Sequence, residues 1–259
     1  MPRMRRFAAK ALEQAQRAAF GSAEYAEQES FVRASEIRTL AERAGIGQGI
    51  SVLDLCCGVA GPGRLLAREF GCAYFGVDAS EDAVAIARQR SSDLPCRFVV
   101  AQVPPLPHGS FDVVLLLETM LAFQDKRALL EAVARTLPTG GRFAFTLEEG
   151  AALTEAERAR MPAADTVWLM PLQEMHTLLA QVGLAVSWED DWSESHSAAA
   201  EALTDAYAVR AAAIASQIGD RAMGELVRAH RQWSEWLATG RVRKFALVAE
   251  RFVERTTPP

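Results

Sequence analysis

Between residues 50 and 147 the chain carries five short runs of consecutive apolar residues, three of them followed by a turn and then apolar positions at helical spacing. The runs are ISVLDLCC, AYFGVD, RFVVA, FDVVLLLE and RFAFTL. A strand that is apolar at successive positions has both faces buried, and strands joined through helices lie parallel. Together these demand a sheet covered by helices on both sides. The predicted core is a doubly wound α/β sheet with strands at 50–57, 73–78, 97–101, 111–118 and 142–147. Helices are predicted at 62–70, 80–90 and 126–137 between them.

The flanks follow other rules. Residues 4–46 carry apolar residues at mixed helical spacing, which predicts two helices broken around Gly21 and Ser22. Beyond the fifth run come a helix at 171–183, a strand at 184–189, about fifty residues of helical pattern, and a last strand, VRKFALVAERF. The expected organisation is an N-terminal helical lid (1–47), an α/β core (48–190), a helical cap insertion (191–240), and a final core strand with a tail (241–259).

A formal charge of -5 argues against a surface that neutralises many phosphates, so a small-molecule partner is expected and a nucleic acid is not. No apolar run reaches the roughly 18 residues that span a bilayer, and the basic N-terminal stretch has no apolar signal core. A cytoplasmic protein without membrane association is the expectation. Cys56, Cys57, Cys72 and Cys96 show no CxxC spacing. Neighbouring cysteines on a strand point to opposite faces, so small buried side chains are expected here, with no metal site.

The first strand runs directly into Gly58, Gly61 and Gly63, with Pro62 suited to a first helical turn. Strand, glycine turn and helix N-terminus bring backbone close to a nucleotide-like ligand. Asp78 closes the second strand twenty residues after Gly58. An acid there accepts both ribose hydroxyls of an adenosine cofactor, or caps the following helix. Ala60 puts a methyl group where a dinucleotide loop admits its pyrophosphate, and Asp54 is an acid that a pyrophosphate repels and a cationic amino group attracts. An NAD-dependent oxidoreductase is therefore disfavoured.

VLDLCCGVAGPGRLLA, GVDAS, FDVVLLLETML and LLEAVARTLPTGGRFAFT resemble the successive motifs of class I S-adenosylmethionine-dependent methyltransferases. The likeness is to the small-molecule kind, related to ubiquinone-biosynthesis and natural-product methyltransferases. The resemblance implies a Rossmann-like seven-stranded sheet with its last strand antiparallel. It also implies S-adenosylmethionine across the ends of the first two strands, with S-adenosylhomocysteine as product. By that likeness Asp54 and the backbone from Cys56 to Gly58 hold the methionine moiety, Asp78 the ribose, and Ala79 packs on the adenine. Gln102 stands where the family has an acid facing the adenine amino group. Leu117 and Glu118 lie between cofactor and substrate. Tyr25 resembles a lid tyrosine, and reads equally as a core-facing aromatic. The sequence departs from the motif at Cys56, a glycine in the family, and at Ala60.

On the substrate side, His196 is the first choice of general base, since a neutral imidazole works near pH 7. Its alternative is a solvent-facing residue at a helix start. Glu118 and Glu148 are further candidates, and Glu149 a substrate contact, the alternative for Glu148 and Glu149 being solvated loop acids. Trp168 and Trp192 flank the expected pocket mouth, whereas Trp233 and Trp236 form an i, i+3 pair expected to pack the cap onto the sheet. The sequence thus leads to a small-molecule methyltransferase, monomeric or homodimeric, acting on an apolar or aromatic metabolite. The alternative is a methyltransferase-like cyclase or isomerase that binds the cofactor without transferring methyl.

Overall fold

The computed structural model of the chain describes residues 9–252. Seven strands form one sheet: β1 (Ser51–Leu55), β2 (Ala73–Asp78), β3 (Cys96–Val100), β4 (Val113–Leu116), β5 (Arg142–Glu149), β6 (Leu184–Asp191) and β7 (Arg243–Arg251). Their order is β3-β2-β1-β4-β5-β7-β6, and only β7 runs antiparallel to its neighbours. The helices are α1 (Lys10–Phe20), α2 (Ala34–Arg43), α3 (Gly61–Phe70), α4 (Glu81–Arg90), α5 (Lys126–Thr136), α6 (Glu155–Arg160), α7 (Leu172–Gln181), α8 (Ser193–Val209), α9 (Ala211–Ile218) and α10 (Asp220–Ala238).

Period-two alternation splits each strand between two cores. Val52, Tyr74, Val113, Leu115 and Val248 pack with Ile37 and Leu40 of α2 and Leu66 of α3. Leu53, Leu55, Val77, Val114, Phe143 and Phe145 pack on the opposite face with Leu129 and Val133 of α5 and Met175 and Leu179 of α7. Both faces are covered, as the unbroken apolar runs require. The fit is close in places: a Cβ on Gly63 would lie 2.1 Å from the Tyr74 ring.

Helix α1 packs with the cap: its Ala11, Leu12 and Ala15 join Leu203, Tyr207, Ile214 and Leu226 in a core shared with α8, α9 and α10. The N-terminal flank differs from expectation in one respect. Between α1 and α2 the chain is a strap of turns, so Tyr25 sits on a loop and not on a helix. The reason is local: Gly21 and Glu27 have left-handed backbones. The Gln28 amide replaces helical hydrogen bonds by accepting from the Ala26 N–H and donating to the carbonyls of Glu24 and Val32. The strap then crosses the start of α3, where a Cβ on Gly61 would come 2.2 Å from the Ala26 carbonyl oxygen.

Because β7 runs backwards, its first residues meet the last residues of β5, pairing Lys244 with Glu148 and Arg243 with Glu149. The chain leaves β6 into the cap at that same edge, and the Trp192 N–H donates to the Lys244 carbonyl at 2.8 Å. Charged groups from β5, β7 and the cap thus converge where β1, β2 and β4 end.

Candidate active site

Two cavities open at this edge and share Glu29, Ser30 and Glu118. The first, about 410 Å³, is bounded by the strap residues Glu27 to Ser30, by Asp54 and the loop from Cys56 to Pro62, by Asp78, and by Leu117 to Thr119. The loop turns through three left-handed residues, Cys56 (φ 58°), Gly58 (φ 55°) and Ala60 (φ 56°). The Gly58 N–H donates to Asp78 Oδ2 at 2.9 Å, while Asp78 Oδ1 accepts from the Ser80 N–H at 2.8 Å. Ser80 is itself the cap of α4. Asp78 therefore ties loop to helix, and each carboxylate oxygen keeps a lone pair for a further donor.

Asp54 is buried and accepts from the Tyr74 hydroxyl at 2.5 Å. Burial, opposed by that hydrogen bond and assisted by the charge of Asp78, pushes its carboxyl up to about 7. Burial also pushes the Cys56 thiol up to about 12 and raises Cys57, so neither supplies a thiolate near neutral pH. All four cysteines are free. A left-handed backbone costs a residue with a Cβ roughly 1–2 kcal/mol, partly offset by the entropy of glycine. Cys56→Gly is accordingly expected to gain up to about 1 kcal/mol in urea denaturation; a loss would mean that the thiol packs usefully.

The second cavity, about 480 Å³, lies beneath the cap. Its walls are mostly apolar, with Phe31, Leu121, Met161, Val167, Leu226, Trp233 and Leu237 among them. At its inner end Glu118, Glu148, His196 and Lys244 stand together. Lys244 is 2% exposed and lies 2.6 Å from Glu118 Oε1 and in contact with Glu148 Oε1. Burial opposes the charge on Lys244, but the two carboxylates win and hold its ammonium above the usual range. Burial likewise raises the Glu118 carboxyl, yet Lys244 and then His196 bring it below the usual range. Glu118 has a left-handed backbone (φ 59°) pinned by its N–H donating to Thr146 Oγ1 at 2.6 Å.

His196 is wholly buried, contrary to a solvent-facing helix start, because the first turn of α8 points into the cavity. Its Nε2 lies 3.3 Å from Glu36 Oε2 and its Nδ1 3.9 Å from Glu118 Oε2. Neither ring nitrogen completes a hydrogen bond, nor does Glu148 Oε2. The Trp192 ring stacks on His196 with centroids 6.0 Å apart.

Several expected residues stand elsewhere. Tyr25 stays out of both cavities; its hydroxyl donates to Gln16 at 3.4 Å and its ring stacks on Phe20, and the strap residues after it do the walling. Ala79 and Gln102 are exposed and line neither cavity. Trp168 turns its indole N–H to the Asp165 carbonyl and lies under Arg158, leaving Val167 as the wall. Trp192 lies behind His196 with its N–H on Asp190, and Trp233 faces the cavity in its place. Glu149 follows Glu148 by one residue, so strand alternation sends it to the other face. Sequence reasoning missed Lys244, Glu36 and Lys126. Lys126 is a buried amine, brought down to about 8 by burial, that donates to the carbonyls of Phe123 and Trp168 and so fixes the cavity wall.

Residues 52–141 match the family model of the methyltransferase domain. Over these residues the core is similar to a methyltransferase domain. Methyltransferase GfsG of Streptomyces halstedii is 36% identical over 112 residues, 41% of this chain and 40% of that protein. The 27-O-demethylrifamycin SV methyltransferase of Amycolatopsis mediterranei is 32% identical over 157 residues, 56% of this chain and 58% of the other. The match thus spans well under two thirds of these relatives' lengths. Among solved structures, a phosphoethanolamine N-methyltransferase 2 of Haemonchus contortus superposes with a TM-score of 0.78 at 18% identity, covering 92% of this chain and 56% of that one. The [4+2]-cyclase SpnF superposes with a TM-score of 0.70 at 19% identity, covering 85% and 82%. These two share the overall fold of this chain. No helix among the described residues is long and apolar enough to cross a membrane.

Proposed function

We propose that this chain transfers a methyl group from S-adenosylmethionine to a small molecule with an apolar body and a polar end, in the cytoplasm. The observation that carries this reading is the junction at Glu118, a side chain that borders both a glycine-loop cavity and an apolar cavity with an ionisable inner wall. The cofactor fits the first cavity on two counts. Asp54 is a buried carboxyl beside a second acid, an arrangement that a cationic amino group would relieve. Gly58 stands open, with nothing within 4 Å of where a Cβ would lie, so its backbone is free for close approach.

When bound, the cofactor supplies an electrophilic methyl carbon carried on a sulfonium. Asp54 holds the amino group and Asp78 accepts from the ribose hydroxyls. The apolar walls under the cap orient the acceptor and exclude water, which accounts for most of the rate in a displacement that needs little covalent help. His196 takes the acceptor's proton where the acceptor atom carries one. A hydrophobic metabolite of the kind named for the rifamycin methyltransferase suits these walls.

Incubation with methyl-labelled S-adenosylmethionine and a panel of apolar hydroxylated or amino metabolites is expected to give labelled product. His196→Asn is expected to lower turnover by about 10²- to 10⁴-fold while S-adenosylhomocysteine binds within about threefold of wild type. Unlabelled, rearranged product would favour the cyclase reading, which the fold likeness to SpnF supports.

A further inference from the structure

We propose that Glu36 is a positioning residue that holds His196 as its Nε2–H tautomer, leaving the Nδ1 lone pair to face the apolar cavity as the proton-accepting atom. The proposal deepens the reading of His196 as a base and rests on it.

The first observation is that His196 is fully buried, borders the apolar cavity, and completes no hydrogen bond through either nitrogen. A buried imidazole without a partner is costly unless a ligand or a neighbouring charge answers it. Two carboxylates face it. Glu36 approaches Nε2 at 3.3 Å from α2, and Glu118 approaches Nδ1 at 3.9 Å from the end of β4.

The two are not equivalent. Glu118 lies 2.6 Å from the Lys244 ammonium on β7, which Glu148 on β5 also faces, so much of its charge is already answered. Glu36 has only neutral donors: the Arg33 N–H reaches Oε2 at 2.8 Å, and the Ser195 hydroxyl bonds Oε1. No ion pair among the described residues joins Glu36 to a Lys or Arg side chain; the Arg33 guanidinium goes instead to the Ser195 carbonyl at 3.2 Å. Glu36 is therefore both the nearer carboxylate and the less neutralised one. An N–H on Nε2 places positive charge on the side of that carboxylate, whereas the opposite tautomer would place a lone pair there. Trp192, stacked on the ring, limits its tilt.

Glu36 cannot readily swing away. It occupies the first turn of α2 with its Oε2 held by the Arg33 N–H, and the Ser195 hydroxyl that bonds its Oε1 belongs to the residue just before His196. The two helix starts are joined through the pair they position. When an acceptor's proton arrives at Nδ1, the resulting imidazolium lies between two carboxylates, each facing one N–H.

The test is nitrogen-15 NMR of histidine-labelled protein without substrate, in which only four histidines contribute and the His196→Asn spectrum assigns the signal. Wild type is expected to show His196 predominantly as the Nε2–H tautomer. Glu36→Gln is expected to give a mixture of tautomers, since the negative charge facing Nε2 is gone. Glu36→Asp should restore the wild-type tautomer in part. Ser195→Ala, which removes one anchor of Glu36, should move the tautomer balance in the same direction as Glu36→Gln and stands in if that variant does not fold. An unchanged tautomer in folded Glu36→Gln or Ser195→Ala would overturn the proposal. The expected NMR changes in a protein that transfers no methyl would leave this inference intact and sink the functional reading alone.

Discussion

Asp78→Ala is expected to weaken S-adenosylhomocysteine binding by at least about 100-fold in titration calorimetry. Two hydroxyl–carboxylate bonds at roughly 1.5–3 kcal/mol each would more than account for that factor. Part of the loss comes from the protein itself, because the same carboxylate accepts from the N–H groups of Gly58 and Ser80 and so sets the shape of the loop. A 2′-deoxy analogue separates the two contributions. It should bind wild type more weakly than the parent ligand, and the two should bind Asp78→Ala alike. A change of less than about threefold on substitution would remove Asp78 from the ligand site.

Lys244→Met is expected to destabilise the fold by about 3–5 kcal/mol, the cost of leaving buried carboxylates without their cation. In a chain of this size that corresponds to a fall in Tm of roughly 10 °C. The sign with pH is specific. In wild type Glu118 is held below its usual range, so its contribution is present above that range and lost as pH falls through its folded value. Lys244 is held above its range, so its contribution is lost only as pH rises through that higher value. Without Lys244 the two acids must take up protons to stay buried, which acid favours. The Tm gap between wild type and variant should therefore narrow from pH 8 to pH 5. Adding Glu118→Gln and Glu148→Gln to Lys244→Met should recover much of the loss; a gap independent of pH would mean that the triad is not the cause.

The core was legible because its information is local. Alternating apolar runs and helical spacing led to strands within one or two residues of those observed, and the glycine loop and Asp78, twenty residues on, border one cavity. The reversed β7 came from the motif resemblance, not from periodicity. Within the candidate site, residues that act through their own turn were placed by sequence: Asp54, Cys56, Gly58, Asp78 and Leu117 all border the first cavity.

The substrate side depended on register between distant segments. Glu148 and Glu149 are indistinguishable in sequence, and only the pairing of β5 with β7 sets Glu148 against Lys244 within the cavity wall. Trp192 and Trp233 exchanged their expected places because Trp192 packs into the core on one face of the sheet, while Trp233 packs beside Met161, Val167 and Trp236 at the second cavity. The sequence by itself determined the sheet, its glycine loop and the acid that ties that loop down, since each is written in neighbouring residues. Tertiary structure alone decided that Glu36, Glu118, Glu148, His196 and Lys244 share one buried end. A charge has no sequence periodicity, and its partner is chosen by packing that brings residues as far apart as Glu36 and His196 within 4 Å.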